Sequence, residues 1–272
     1  VREFSTAFIG AGNMAGSIIG GLVAAGFPAQ QIRASDPSVE NLERLRGQGV
    51  AQIGSDNAAC AIGADVIILA VKPQVLQGVC ESIAAVLNSD QVVVSIAAGV
   101  GADSLRGWLG AGPAIVRCMP NTPALLGAGA SALYAHGAVT ETQKERAQNV
   151  LEAVGLVRWV NEEDLIHAVT AVSGSGPAYF FQFMEAMIDE AERMGLNEET
   201  ARTLCAQTCI GAGRMLLEGE HSAKTLRENV CSPGGTTERA VASFRAADLE
   251  TMVAKAMRAC QERSVELAAE LA

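Results

Sequence analysis

The chain of 272 residues carries a formal net charge of -10, and 49% of it is hydrophobic while only 4% is aromatic. That is enough apolar length to bury one or two aliphatic cores without disulfides or metals, and an acidic surface with no run of Lys and Arg excludes nucleic acid and anionic membranes as partners. The seven cysteines are odd in number, scattered and set mostly in apolar stretches, the pattern of free thiols serving as small core residues in a reducing, cytoplasmic compartment. Cys205 and Cys209 lie one helical turn apart with no further ligands beside them, so no metal site is expected.

In chain order, the apolar run Phe4 to Ile9 meets Gly10-Ala11-Gly12 and is followed by helical periodicity from Asn13 to Ala25, with Gly26 as a stop. Glycines throughout this stretch argue against a leader or membrane span and for strand, tight turn and helix. A second strand, Gln31 to Ser35, precedes Asp36-Pro37, which fits an N-cap with Pro at the first helical position of a helix through Arg46. A weak strand near Val50 to Ile53, a short helix from Asn57, an apolar strand Asp65 to Val71, a helix Pro73 to Leu87 and a strand Val92 to Ile96 come next. Ile115 to Met119, Ala130 to Ala135 and Val157 to Val160 read as further strands, and Thr140 with Gln143 forms a capping box for a helix to Val154.

Continuous Val, Ile and Leu runs mark strands buried on both faces of a parallel sheet, and their alternation with helices indicates a doubly wound domain. Beyond Asn161 the pattern turns helical, with long segments Pro177 to Met194, Glu198 to Leu217 (capped by Asn197) and Asp248 to Leu271. The predicted class is α/β: an N-terminal Rossmann-like doubly wound sheet over residues 1–161, followed by an all-helical dimerisation domain over residues 162–272. A helical domain this short and apolar is expected to pack against a second copy, giving a homodimer or a larger assembly of dimers.

Gly10-Ala11-Gly12-Asn13-Met14-Ala15 is a G-x-G-x-x-A turn placed between the first strand and helix, where a dinucleotide fingerprint belongs. Gly10 permits the tight turn, Gly12 admits a pyrophosphate to the backbone, and the helix N-terminus offers N–H groups to it. Asp36 either holds the adenosine ribose or only caps the second helix, and Arg33, Ser35 and Ser38 suit a 2′-phosphate instead. Lys72-Pro73, Ser95 to Gly99 and the rigid turn Met119-Pro120-Asn121-Thr122-Pro123 end strands at the same edge. Lys72 is read equally as a phosphate contact and as a solvated lysine, and Asn121 equally as a cofactor ligand and as a turn residue.

Two glycine-rich segments, Ser173-Gly174-Ser175-Gly176-Pro177 and Cys231-Ser232-Pro233-Gly234-Gly235-Thr236-Thr237, stand before helices. Each offers backbone N–H groups and hydroxyls to a small carboxylate, or is a plain helix corner. None of the three histidines is placed as an obvious general acid, and neither a G-x-S-x-G elbow nor a P-loop occurs.

In this order and spacing, Phe8 to Met14, Ala70 to Gln74, Val94 to Val100, Met119 to Pro123, Val172 to Tyr179 and the Cys231 to Thr237 loop resemble pyrroline-5-carboxylate reductase, from about Phe4 to Glu266. The resemblance implies hydride transfer from NADPH or NADH to the imine carbon of 1-pyrroline-5-carboxylate, giving L-proline in the last step of its biosynthesis, by an oligomer with interlocked helical domains. It implies that Ile9, Gly10, Ala11, Gly12, Asn13, Met14, Ser35, Asn57, Ala70, Val71, Lys72, Pro73, Ala97 and Asn121 hold the dinucleotide. Ser232, Pro233, Gly234, Gly235, Thr236 and Ser175 would bind the substrate, with Thr237 on the ring nitrogen and Glu220 close by as the catalytic pair. Ala15 stands where a third glycine is common, and Asp36 beside Ser35 leaves the choice between NADPH and NADH open.

Two other readings compete. A dehydrogenase of the 3-hydroxyacid or 6-phosphogluconate type shares this domain order but places a lysine early in the second domain, and Ser173 to Met194 holds none. A dinucleotide sensor without chemistry needs no second polar glycine-rich loop.

Overall fold

The computed structural model describes residues 4–271. It divides into two compact units, one running up to Ser175 and taking in the chain again from Cys260, the other Gly176–Ala259.

The first unit is built on one eight-stranded sheet in the order β3-β2-β1-β4-β5-β6-β7-β8. In chain order its elements are β1 (Thr6–Ile9), α1 (Asn13–Ala24), β2 (Ile32–Ser35), α2 (Val39–Gly47), β3 (Gln52–Gly54), α3 (Asn57–Ala61), β4 (Val66–Leu69), α4 (Pro73–Ile83), β5 (Val92–Ser95), α5 (Ala102–Leu109), β6 (Ala114–Met119), β7 (Gly129–His136), α6 (Glu141–Glu152), β8 (Gly155–Val160) and α7 (Leu165–Val169). Neighbouring strands are parallel except β6 and β7, which run antiparallel.

Alternate strand residues supply two cores, because successive side chains leave a strand on opposite faces. Val66 and Ile68 join Phe8, Ile18, Leu22 and Val94 on one side, while Ile67 and Leu69 join Ile9, Leu76, Val93 and Leu105 on the other. Burial on both faces explains the unbroken apolar runs of the sequence. The expected capping box is present in full at Thr140 and Gln143.

Three local readings are corrected. Asp36 does not cap α2; Ser38 does, its side chain accepting the Asn41 N–H. The helix α5 has no counterpart in the sequence reading, since Gly99, Gly101, Gly107 and Gly110 obscure the helical spacing of its buried Ala102, Leu105 and Leu109. The segment around Ser173 to Gly176 is no corner with open N–H groups. A π turn, Thr170–Gly174, continues α7 directly towards the next helix, and the Ser175 N–H donates to the Thr170 carbonyl at 2.8 Å. The first unit therefore extends beyond Glu162, because α7 and this turn pack on β6 and β7.

The second unit holds α8 (Gly176–Arg193), α9 (Glu198–Glu218), α10 (Ala223–Asn229), α11 (Thr236–Ala246) and the start of α12 (Leu249–Glu270). Asn197 caps α9 as expected, accepting the Thr200 N–H at 2.8 Å. The unit leaves large apolar side chains uncovered, among them Phe180, Phe181, Leu204, Met215 and Leu217.

Candidate active site

The parallel register places Ile9 beside both Ser35 and Leu69, and Leu69 beside Ser95. These residues end β1, β2, β4 and β5 at one carboxyl edge, and the chain reverses its winding at β1 and β4, where open α/β sheets bind their ligands.

Gly10 at this edge has φ +96°, and a Cβ there would lie 2.6 Å from the Ala70 carbonyl oxygen. Only glycine fits so close to the β4 exit. Gly12 differs, because nothing lies within 4 Å of its Cβ position. It precedes the first turn of α1, which has neither a side-chain cap nor an acidic residue. The first N–H groups of α1 are thus left for an anion, with open space in front of Gly12.

The turn is held from behind. Asp36 is buried, and its Oδ2 accepts the Ala11 N–H at 2.7 Å while its Oδ1 accepts from the Ser38 N–H at 2.8 Å and Asn41 Nδ2 at 3.3 Å. Arg44 donates to the Ala11 carbonyl at 2.7 Å and to Asn13 Oδ1 at 3.3 Å. Ser35 is wholly buried, its hydroxyl donating to Asn57 Oδ1 at 2.8 Å. The guanidinium of Arg33 is turned to the Ile62 carbonyl.

Lys72 precedes Pro73, the first residue of α4, and its ammonium is exposed. Ala97 follows β5, and its N–H lies 3.4 Å from Ser95 Oγ. After β6, the Asn121 side chain is committed at both ends, accepting the Ala130 N–H at 2.8 Å and donating to the Ser173 carbonyl at 3.0 Å. Arg117, buried on β6, pairs with Glu163 at 2.7 Å, and the same Glu163 oxygen accepts the Ala102 N–H at 2.7 Å. Cys260 Sγ lies 3.2 Å from Ser175 Oγ.

The Ile9 to Met14, Ser35, Asn57, Ala70 to Pro73, Ala97 and Asn121 positions thus all belong to the carboxyl edge of the first unit. Ser232 to Thr237 lie in the second. There Gly235 donates to the Ser232 carbonyl at 2.9 Å, and Gly234, with φ +71°, donates to Glu238 Oε2 at 2.7 Å. Thr236 and Thr237 open α11, whose N-terminus has no side-chain cap at Gly235. Glu220 sits in the exposed turn between α9 and α10 and makes no hydrogen bond to this loop among the described residues.

Comparison with known proteins adds the family. Residues 5–99 match the family model described as NADP oxidoreductase, coenzyme F420-dependent, and residues 163–267 match the model for pyrroline-5-carboxylate reductase dimerisation. A pyrroline-5-carboxylate reductase of Pseudomonas aeruginosa is 51% identical over 97% of this chain and 97% of its own length. The chain belongs to the pyrroline-5-carboxylate reductase family. Solved pyrroline-5-carboxylate reductases share its architecture: that of Coxiella burnetii superposes with a TM-score of 0.94 at 43% identity, covering 98% of this chain and 99% of the other. A Plasmodium falciparum pyrroline carboxylate reductase, solved with NADP bound, gives a TM-score of 0.87 at 28% identity, covering 98% and 99%.

Sequence reasoning missed several residues that make these contacts, Arg117, Arg44 and Glu238 among them. Arg117 carried a visible signal, a charge within the otherwise apolar run Ile115 to Met119, and a buried charge needs a partner. Arg44 and Glu238 carried none, since charged residues on helix surfaces are common. Among the described residues no helix is long and apolar enough to cross a membrane.

Proposed function

We propose that this chain reduces the C=N bond of 1-pyrroline-5-carboxylate to give L-proline, with NADPH preferred over NADH. The observation that carries the redox half is the uncapped α1 N-terminus behind the bare Gly12, a site made for a pyrophosphate. Family membership carries the imine half. The dinucleotide supplies the hydride when bound.

The rest falls to the chain. The N–H groups of Gly12, Asn13 and Met14 take the pyrophosphate, and Ser35 with Asn57 borders the adenosine side. Ala70 to Pro73 and Ala97 line the path toward the nicotinamide, while Asn121 fixes the turn after β6. NADP in the Plasmodium falciparum relative supports the preference for NADPH, and so does the inward turn of Asp36.

In the second unit, the loop Ser232 to Thr236 is read as the cradle of the substrate carboxylate, with Pro233 shaping it. The Ser232 and Thr236 N–H groups face the ligand, while those of Gly234 and Gly235 are held by Glu238 and by the Ser232 carbonyl; Ser175 lies in the first unit. The Thr237 hydroxyl bonds the ring nitrogen, and Glu220 balances its charge. A protonated iminium is already electrophilic, so the site must orient it rather than supply a strong acid. The histidines fit this economy: His136 lies 3.5 Å from Asp103, and His167, its pKa lowered by burial, bonds Ser264 at 2.9 Å. Free cysteines support a reducing, cytoplasmic setting, and residues 163–267 assemble the chain with its own copies.

The test is oxidation of NADPH, and separately NADH, on addition of 1-pyrroline-5-carboxylate, with proline scored as product. Tight dinucleotide binding without turnover would overturn the reading in favour of a sensor. Thr237→Ala is expected to lower kcat/KM by about 100-fold while leaving dinucleotide affinity unchanged, if its hydrogen bond holds the reacting nitrogen.

A further inference from the structure

Resting on the dinucleotide reading above, we propose that Asp36 and Arg44 are positioning residues for the glycine turn, and that Asp36 does not read the adenosine ribose. The two side chains grip Ala11 on both sides. Asp36 takes its N–H at 2.7 Å and Arg44 takes its carbonyl at 2.7 Å.

The second contact has a geometric effect on the next residue. A trans peptide is planar, with its C=O and N–H pointing in opposite directions. By fixing the Ala11 carbonyl, Arg44 fixes the direction of the Gly12 N–H, and its other nitrogen fixes Asn13 through Oδ1 at 3.3 Å. Gly16 accommodates this arrangement, since a Cβ there would lie 3.3 Å from Arg44 Nη2. Asp36, for its part, removes the Ala11 N–H from the phosphate donors, so the anion is received by the N–H groups that follow.

Position and partners together argue against a ribose role for Asp36. An acid at the end of the second strand favours NAD by accepting ribose hydroxyls. Here both carboxylate oxygens already accept from protein donors, three in all, and the side chain is buried. The carboxylate is spent on the turn.

The experiment is a fluorescence titration of NADPH and NADH, without substrate, on wild-type, Asp36→Asn, Arg44→Met, Arg44→Lys and the Asp36→Asn/Arg44→Met double variant. Each of Asp36→Asn and Arg44→Met is expected to raise both dissociation constants by the same factor, about tenfold for one charge-assisted hydrogen bond lost. The double variant should lose less than the product of the two singles, because both act on one turn. Arg44→Lys, still able to donate to the Ala11 carbonyl, should recover most of the affinity that Arg44→Met loses. Arg44 is exposed, so its variants keep the test open if Asp36→Asn fails to fold. A shift of more than about fivefold in the NADPH to NADH ratio in Asp36→Asn would overturn the inference, as would unchanged affinities. Wild-type protein that binds neither dinucleotide would instead sink the underlying reading, and the inference with it.

Discussion

Gly10 and Gly12 belong to one turn but are glycine for different reasons. At Gly10 the backbone has φ +96° and no room beside Ala70, so Gly10→Ala is expected to destabilise the fold by about 2 kcal/mol or more, seen as a lower melting temperature. At Gly12 the space is empty of protein. Gly12→Ala should therefore melt close to wild type yet bind dinucleotide poorly, and a Gly12→Ala protein with wild-type affinity would contradict the placement of the pyrophosphate. The buried thiols make a second residue-scale case. Burial pushes the pKa of Cys60 up to about 11 and those of Cys80 and Cys118 up to about 12. All three are neutral thiols near pH 8, so brief iodoacetamide treatment of the native protein should leave them unmodified by mass spectrometry. Because their folded pKa values are raised above the unfolded ones, the stability they contribute is full below about pH 8.5 and is lost as pH climbs toward 12.

Among elements, the parallel strands were legible because burial on both faces leaves an unbroken apolar run, as in Val66–Leu69 and Val92–Ser95. The glycine turn was legible because its position between strand and helix decides its meaning. Asp36 was not, since Asp36 and Ser38 are both good caps and only the fold shows that Ser38 caps α2 while Asp36 turns inward to Ala11. The π turn was hidden too. Serines and glycines read as a break, yet the Thr170 carbonyl takes the Ser175 N–H and Asn121 takes up the Ser173 carbonyl. This makes Asn121 a bolt between β7 and the turn. Asn121→Ala would leave a partly buried N–H and a partly buried carbonyl without that partner, an expected loss of about 1 kcal/mol or more in denaturant unfolding. Asn121→Asp retains an acceptor for Ala130 but sets a carboxylate oxygen against the Ser173 carbonyl at a buried position, and should lose at least as much.

At the scale of the whole molecule, the helical unit presents apolar side chains that its own chain does not cover, and residues 163–267 match a dimerisation model. Leu216, 49% exposed, lies in the apolar groove with Phe180, Phe183 and Met187. Leu216→Glu is expected to dissociate the assembly in sedimentation velocity or to lower its solubility, because a carboxylate in such a contact is costly. An unchanged sedimentation coefficient would place the self-contact elsewhere. The last helix carries a different consequence. From Cys260 onward the chain belongs to the first unit, and Leu267 and Leu271 approach Gly99 at the β5 edge. During translation that edge emerges long before the leucines that close over it, with the whole helical unit made in between. The sheet can form while the helical unit is still being made, whereas the Gly99 loop after β5 gains its final packing only once that unit is complete.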